Sequence, residues 1–380
     1  MRALMFLVLA ACAVSPAPAH PDAPAAAATA APPAGHAACD ACRGGRCSPG
    51  QARACRDLGN AHLRGARPQF DLVAAAEAFG VACEANDLVA CVSFALQLQD
   101  GRGTAWDLPR AMVLYHRACD GGVGVGCFNL GLIYGDGNGV PRDMDKGRAL
   151  MARAESLYLP ACDGDQPELC ANIGVLYEQG MVGSADPARA MAVYRKGCER
   201  GDHDSCANLA GFELDGTGAP PDRAVAMARA ERDCERGGAR SCGVLGRALD
   251  PTRQHFSPRA IALLARSCDG GVAPSCSFLT AVYALGRGVP VDLAKADELA
   301  LHGCELGSAT SCLDHARYLA ANPTAAVPYL LQACHIGSAE GCKGAAELMS
   351  KGAVPEGRDT VRSLIDRACV LGDAAACASP

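Results

Sequence analysis

Apolar residues return along this chain with the period of a helix, in short segments broken by glycine. In 107–119 they fall at Leu108, Ala111, Met112, Tyr115, Ala118 and Cys119, on one face of a 3.6-residue helix. Asp107 stands before them where an N-cap belongs, and Asp143, Asp186, Asp222 and Asp292 hold the equivalent place in later segments. Pro187, directly after Asp186, suits the first helical position. Each such segment, a helix B, follows a shorter apolar segment, a helix A. A Gly-rich turn such as Gly135-Asp136-Gly137-Asn138-Gly139-Val140-Pro141 lies between the two.

Cysteines punctuate the pattern. One ends a helix B, and a second, eight residues on, opens the next helix A. The step pairs Cys47 with Cys55, Cys83 with Cys91, Cys119 with Cys127, Cys162 with Cys170, and Cys198 with Cys206. It continues with Cys234 and Cys242, Cys268 and Cys276, Cys304 and Cys312, Cys334 and Cys342, and Cys369 and Cys377. First cysteines are spaced 30 to 43 residues apart, a period that signals stacked helical hairpins. The residue four after the helix-A cysteine is always small: Gly59, Ala95, Gly131, Gly174, Ala210, Gly246, Thr280, Ala316, Ala346. A larger side chain there is expected to clash with a neighbouring helix. Each pair of cysteines sits where two helix ends approach, within reach of a disulfide. Closing such a ring removes roughly 2.5 kcal/mol of unfolded-chain freedom.

Three units depart from the pattern. The interval from Cys119 to Cys162 carries about two extra helical turns around 154–160. The eighth unit replaces its Gly-rich turn with Ala321-Asn322-Pro323-Thr324, and the chain stops at Cys377-Ala378-Ser379-Pro380, before a last helix A.

These residues resemble the Sel1-like repeat, a relative of the tetratricopeptide repeat. Cys127-Phe128-Asn129-Leu130-Gly131-Leu132-Ile133-Tyr134 through Asp143 to Cys162 carries the likeness best. A second good copy runs from Cys276 through Tyr283, Gly286, Gly288-Val289, Asp292 and Lys295-Ala296 to Cys304. The likeness spans about 47–377; it is weaker in the first unit, where His62 stands for Tyr134, and in the truncated eighth. The Cys-x7-Cys step looks like the exported, cysteine-rich branch of that family. The expected fold is therefore all-α: a right-handed α/α solenoid, or superhelix, of about nine Sel1-like hairpins stapled by Cys-x7-Cys disulfides.

The N-terminus sets the compartment. Residues 1–11 carry one positive charge and a short apolar run, the form of an export signal too short to span a bilayer. Leu9-Ala10-Ala11-Cys12 resembles a lipobox, with Cys12 as the lipidated residue; the alternative is an ordinary secretory signal cleaved after an Ala in 17–30. Removing Cys12 leaves an even 22 of the 23 cysteines for pairing. Ala13 carries no aspartate-type retention signal, so the expected address is the outer membrane, facing the periplasm or the cell surface. Residues 12–38, almost wholly Ala, Pro and small polar residues, read as a disordered tether, and 39–377 as the solenoid. Its N-terminal cap, 39–55, holds Cys39, Cys42, Cys47 and Cys55. They are read as two disulfides closing the open end, with the pairing of Cys39 and Cys42 undetermined. The alternatives are four zinc thiolates near His36, or a redox CxxC without its βαβ context.

Chemistry is sparse. The net charge of −6 comes without a basic run, which argues against nucleic acid. The resemblance implies two function classes: a scaffold that binds other proteins, or a penicillin-binding or weakly hydrolysing β-lactamase-like protein. The second needs an activated serine, and Ser-x-x-Lys, Ser-Asp-Asn, Lys-Thr-Gly and Gly-x-Ser-x-Gly are all absent. No P-loop or zinc helix is present, and the nine histidines are dispersed, so no catalytic residue, metal site or cofactor is expected.

The expected role is a non-catalytic cell-envelope adaptor that takes a protein or peptide on the concave face lined by the A helices. Asn129, Asn172 and Asn208, two residues after the helix-A cysteine in three consecutive units, form a candidate ladder toward a bound backbone. The alternative is that they serve inter-repeat contacts. Trp106, the sole tryptophan, falls in a turn, either packed locally or exposed for contact.

Overall fold

The computed structural model describes residues 39–40, 48–63, 71–137, 139–250, 252, 254–355 and 359–377. The export segment 1–11, Cys12, the 12–38 tether, Cys42 and Cys47 lie outside them. Among the described residues the chain is helical without strands. Nine A–B hairpins follow one another: α1 (Pro49–His62) with α2 (Leu72–Glu84), α3 (Leu88–Asp100) with α4 (Leu108–Asp120), α5 (Gly124–Asp136) with α6 (Met144–Asp163), α7 (Leu169–Glu178) with α8 (Pro187–Glu199), α9 (His203–Asp215) with α10 (Arg223–Glu235), α11 (Ala239–Leu249) with α12 (Pro258–Asp269), α13 (Ala273–Leu285) with α14 (Leu293–Glu305), α15 (Ala309–Tyr318) with α16 (Pro323–Ile336), and α17 (Ala339–Ser350) with α18 (Val361–Val370). A four-residue helix, α19 (Ala374–Cys377), follows at the place of a tenth helix A. No helix among them is long and apolar enough to cross a membrane.

The expected caps are in place. Asp107, Asp143, Asp186, Asp222 and Asp292 each accept the backbone N–H three residues on, satisfying a donor the helix cannot. The extra turns of the third hairpin lengthen α6 to 20 residues, and Asn322 caps α16 in the shortened eighth hairpin.

The small site in helix A receives a large side chain from helix B of the same hairpin. A Cβ on Gly174 would lie 2.1 Å from the Tyr194 ring, one on Gly59 2.7 Å from Phe79, and one on Gly246 3.0 Å from Leu264. In the lengthened third hairpin Met151 fills this place against Gly131, and Tyr158 moves along to Gly124. In these glycine-bearing hairpins core thickness is thus set by one large residue on B and one missing side chain on A.

Nine of the Cys-x7-Cys steps are bonded as expected. Cys83 joins Cys91, Cys119 joins Cys127, Cys162 joins Cys170, Cys198 joins Cys206, and Cys234 joins Cys242. Cys268 joins Cys276, Cys304 joins Cys312, Cys334 joins Cys342, and Cys369 joins Cys377. Their Cα atoms stand 4.4–5.0 Å apart. The first cysteine of each bond is presented by the end of a helix B. The second, as with Cys91, Cys127, Cys170, Cys206, Cys242, Cys276, Cys312 and Cys342, lies within the first turn of the next helix A and is buried.

The first step is the exception: Cys55 bonds Cys39 and not Cys47. Cys55 lies a full turn deeper than its counterparts, in a helix that starts at Pro49, and the residues that face it are 39–40, themselves helical.

Beside several staples the preceding residues of the two helices touch, and a small one faces a larger one. Gly197 faces Ser205, Gly303 faces Ser311, and Ala118 and Ala333 face Gly126 and Gly341. Where both members are polar they bond: Ser267 with Ser275 at 2.7 Å, and Ser241 to Asp233 at 2.5 Å.

Candidate functional site

The curvature assigns the inner face. Successive A helices approach one another directly, α7 with α9, α9 with α11 and α13 with α15, whereas no pair of successive B helices among the described residues packs comparably. The A helices are therefore inside the curve and the B helices fan around its outside.

On that inner face the asparagine ladder is partly committed. Asn129 is 3% exposed and lies beside the buried Tyr115 hydroxyl, which donates to Gln99 Oε1 at 3.1 Å. Asn208, half-buried, lies beside the Tyr194 hydroxyl, which donates to Glu178 Oε2 at 2.8 Å. Its own Oδ1 accepts from Arg240 at 3.0 Å. Each of these buried tyrosines thus donates to helix A of its own hairpin and lies beside an asparagine of the next. Burial pushes the Tyr115 and Tyr194 phenols well up, so both remain protonated donors. Asn172 and Asn208 keep part of their surface toward solvent.

Around them the inner face carries few charges. From Leu88 to Gln99, Gly124 to Gly135 and Leu169 to Tyr177 no charged residue occurs, the only charge of each helix being the carboxylate at its end, Asp100, Asp136 or Glu178. Ser93, Leu96, Leu132 and Val175 are partly exposed. The charges of these hairpins are concentrated in α4, α6 and α8.

Polar clusters elsewhere are structural in geometry. Asp233, 4% exposed, accepts Ser241 on one oxygen and bonds His203 Nδ1 on the other at 2.7 Å. The carboxylate stands between serine and imidazole, so the imidazole cannot take the serine proton, and Ser241 is fully buried. The hydrogen bond to Asp233 raises the His203 pKa, while burial pushes Asp202 up to about 6. Cys268, Cys276 and His302 bring ligand atoms within 4.8 Å of one another, but the two sulfurs form a disulfide and offer no thiolate.

Trp106 lies in the predicted turn and packs locally, against the core of hairpins 2 to 4, but its contacts also reach far along the chain. Its indole stacks on His335 of the eighth hairpin. It also lines a shallow cavity of about 350 Å³ with Leu108, Met112 and Val140. Sequence reasoning missed His335 and Arg367, which lie over or against it, because neither belongs to the repeat pattern.

With this geometry in hand, the Sel1 repeat pattern matches residues 52–87, 95–123, 124–158, 167–202, 203–228 and 274–308, more than half of the chain. The chain belongs to the Sel1 repeat family. Among solved structures, this Sel1 repeat protein is similar to a protective antigen of uropathogenic Escherichia coli with an SLR fold, at 20% identity over 90% of this chain and 80% of that one, TM-score 0.44. It is also similar to a Sel1 repeat protein of Oxalobacter formigenes, at 19% identity over 66% and 84%, TM-score 0.33. An immunity protein of Pseudomonas aeruginosa is similar at 15% identity over 55% and 75%, TM-score 0.39. No curated protein sequence matches. Sel1 repeats commonly mediate protein–protein interaction, and the many disulfides of this one fit an oxidising, exported environment.

Proposed function

We propose that this Sel1 repeat protein is a non-catalytic adaptor of the cell envelope that holds an extended segment of a protein or peptide partner on its inner face. The observation that carries this reading is the sparsely charged A-helix surface of hairpins 2 to 4, with one carboxylate at each helix end, set against charged B helices outside. A surface of half-exposed aliphatic residues with interspersed amides suits a chain that offers both side chains and backbone groups. Asn172 and Asn208 are the members of the ladder with surface to give; Asn129 is buried beside Tyr115. An export segment at 1–11, a lipid on Cys12 and a 12–38 tether deliver the array to the outer membrane, where it is anchored and free to reach its partner.

The test is capture in the envelope. Photo-cross-linking from the inner face should trap a partner with the wild-type protein. Leu132→Glu with Val175→Glu, or Asn172→Ala with Asn208→Ala, should lose it while helical circular dichroism stays native. Undiminished capture by folded variants refutes the site. A membrane fraction that retains Cys12→Ser protein refutes the lipid anchor.

A further inference from the structure

The turn between α3 and α4 does not end on solvent. Arg102 Nε donates to the Glu305 carbonyl at the end of α14, 203 residues further on, at 2.9 Å. Trp106 stacks on His335 near the end of α16, ring centroids 4.8 Å apart and planes within 17°. Arg367 of α18 lies over the same indole at 5.3 Å and donates to the His335 carbonyl at 3.1 Å. Asp359 bonds the His335 ring at 3.2 Å and fixes its orientation. Two glycines line the contact and leave room for its side chains. A Cβ on Gly101 would lie 3.4 Å from His335 Nδ1, and one on Gly307 3.3 Å from Arg102, and both have positive φ, 66° and 93°. Hairpin 2 therefore meets hairpins 7, 8 and 9, and the solenoid has returned on itself.

This seam differs from the joints between successive hairpins. Its core is Asp100, Arg102 and His335, each under 10% exposed, in place of aliphatic residues. It is also loosely filled. A gap of about 320 Å³ remains between Val140 and Arg142 of the third hairpin and Val370 of the ninth. Burial pushes the Asp100 carboxyl up to about 6 although Arg102 and Arg367 both draw it down, so the closed seam holds this group less comfortably than water does. Such groups separate and rehydrate more readily than an apolar interface.

A bend point exists on the far side. Three successive B helices bury a tyrosine four residues before their cysteine: Tyr115, Tyr158, Tyr194. In α10 that position is Ala230, and the helix buries only Ala226, Ala230, Asp233 and Cys234. One apolar cluster runs from Val92 to Phe212 and the next large one begins at Phe256. Between them lies a smaller cluster of Ala207, Ala210, Ala230, Val244 and Leu245, with Leu214, Met227 and Leu263 partly buried against it.

We infer that the seam is a latch: the chain is a coil that closes on itself through Arg102 and Trp106, and opens sideways by bending between α10 and α11. Opening widens the route by which a partner segment reaches the inner face; that consequence rests on the adaptor reading, and the latch does not.

Small-angle X-ray scattering of the full oxidised protein tests it. Arg102→Ala with Trp106→Ala, and separately His335→Ala from the opposite side, should raise the radius of gyration and maximum dimension with helical circular dichroism unchanged. Trp106→Tyr, which keeps the stack, should stay closed. Hydrogen exchange should accelerate at 304–308 and across 223–249 in the open variants, and remain slow in hairpins 3 and 4. A native wild-type scattering profile in the folded double variant overturns the latch. So does loss of helix content in both the double variant and His335→Ala, because the seam would then belong to the global fold.

Discussion

The same substitution in two neighbouring hairpins should move stability in opposite directions. In Gly174→Ala the new methyl would lie 2.1 Å from Tyr194 Cε1, and that ring has no room to yield: it is fully buried and its hydroxyl is held by Glu178. Overpacking of this kind costs about 1–3 kcal/mol, and so deep an overlap belongs at the upper end. Replacing a helical glycine returns about 1 kcal/mol of backbone entropy. The net expectation is a loss of about 2 kcal/mol. Gly211, in α9, has nothing within 4 Å of its would-be Cβ, so Gly211→Ala should collect the entropy alone and gain about 0.5–1 kcal/mol. Guanidinium unfolding with the disulfides intact measures both, provided the slopes match. A double variant supplies the check on cause: Tyr194→Leu imitates the Gly246 and Leu264 pair, and should restore much of what Gly174→Ala loses. If Gly174→Ala is as stable as wild type, or Tyr194→Leu does not rescue it, the small site is not a receptor for the helix-B ring.

Two further expectations concern the staples and pH. Mutating Cys119 and Cys127 together to serine opens a nine-residue ring and should cost roughly 2.5 kcal/mol by loop entropy; peptide mass mapping of the exported protein should find the nine Cys-x7-Cys pairs bonded, and free thiols there would refute the pairing. Asp202 is raised by burial from 3.8 to about 6, so the folded state binds its proton more tightly than the unfolded chain. Stability from this group therefore grows as pH falls from 7 to 5, by about 1 kcal/mol, and Asp202→Asn should flatten it. His203, raised by Asp233, acts with the same sign, contributing below about 6.5 and losing its contribution as pH rises through the folded pKa. His335, lowered by burial, opposes both, since its protonation below the ordinary histidine range disfavours the closed seam. Melting curves of the wild type and of His203→Asn across this range separate the contributions.

The local rules were legible because each is written within one repeat. The aspartate caps, the small helix-A site and nine of the disulfide steps require only helical periodicity and the distance between two helix ends. The first disulfide was not legible, because the Cys-x7-Cys rule assumes a preceding helix B, and none of the described residues before Cys55 forms one. The asparagines were noticed but their commitment was not. That Asn129 is buried beside Tyr115 depends on how closely successive hairpins pack, which spacing does not encode. The seam left no signal at all: Arg102, His335 and Arg367 are unremarkable turn and helix-end residues until the coil's curvature brings them together.

That last failure follows from what a staple can do. Each of these nine disulfides joins residues eight apart, so it fixes how one hairpin leaves the next and constrains nothing further along. Curvature over many hairpins is the sum of small angles, and those angles depend on side-chain bulk between helices A and B and beside each staple. Tyr115, Tyr158 and Tyr194 set one regime, and Ala230 interrupts it. Changing the bulk at one position alters one angle, but the displacement it produces at the seam is multiplied by the distance to the far end of the coil. Contacts as short as Arg102 to Glu305 can therefore form only if the interior angles are nearly right, and they then feed back to select among the curvatures that the staples allow. On this argument the seam and the packing at α10 are parts of one device: a strongly cross-linked local structure whose overall shape is decided by a few weak contacts at its ends.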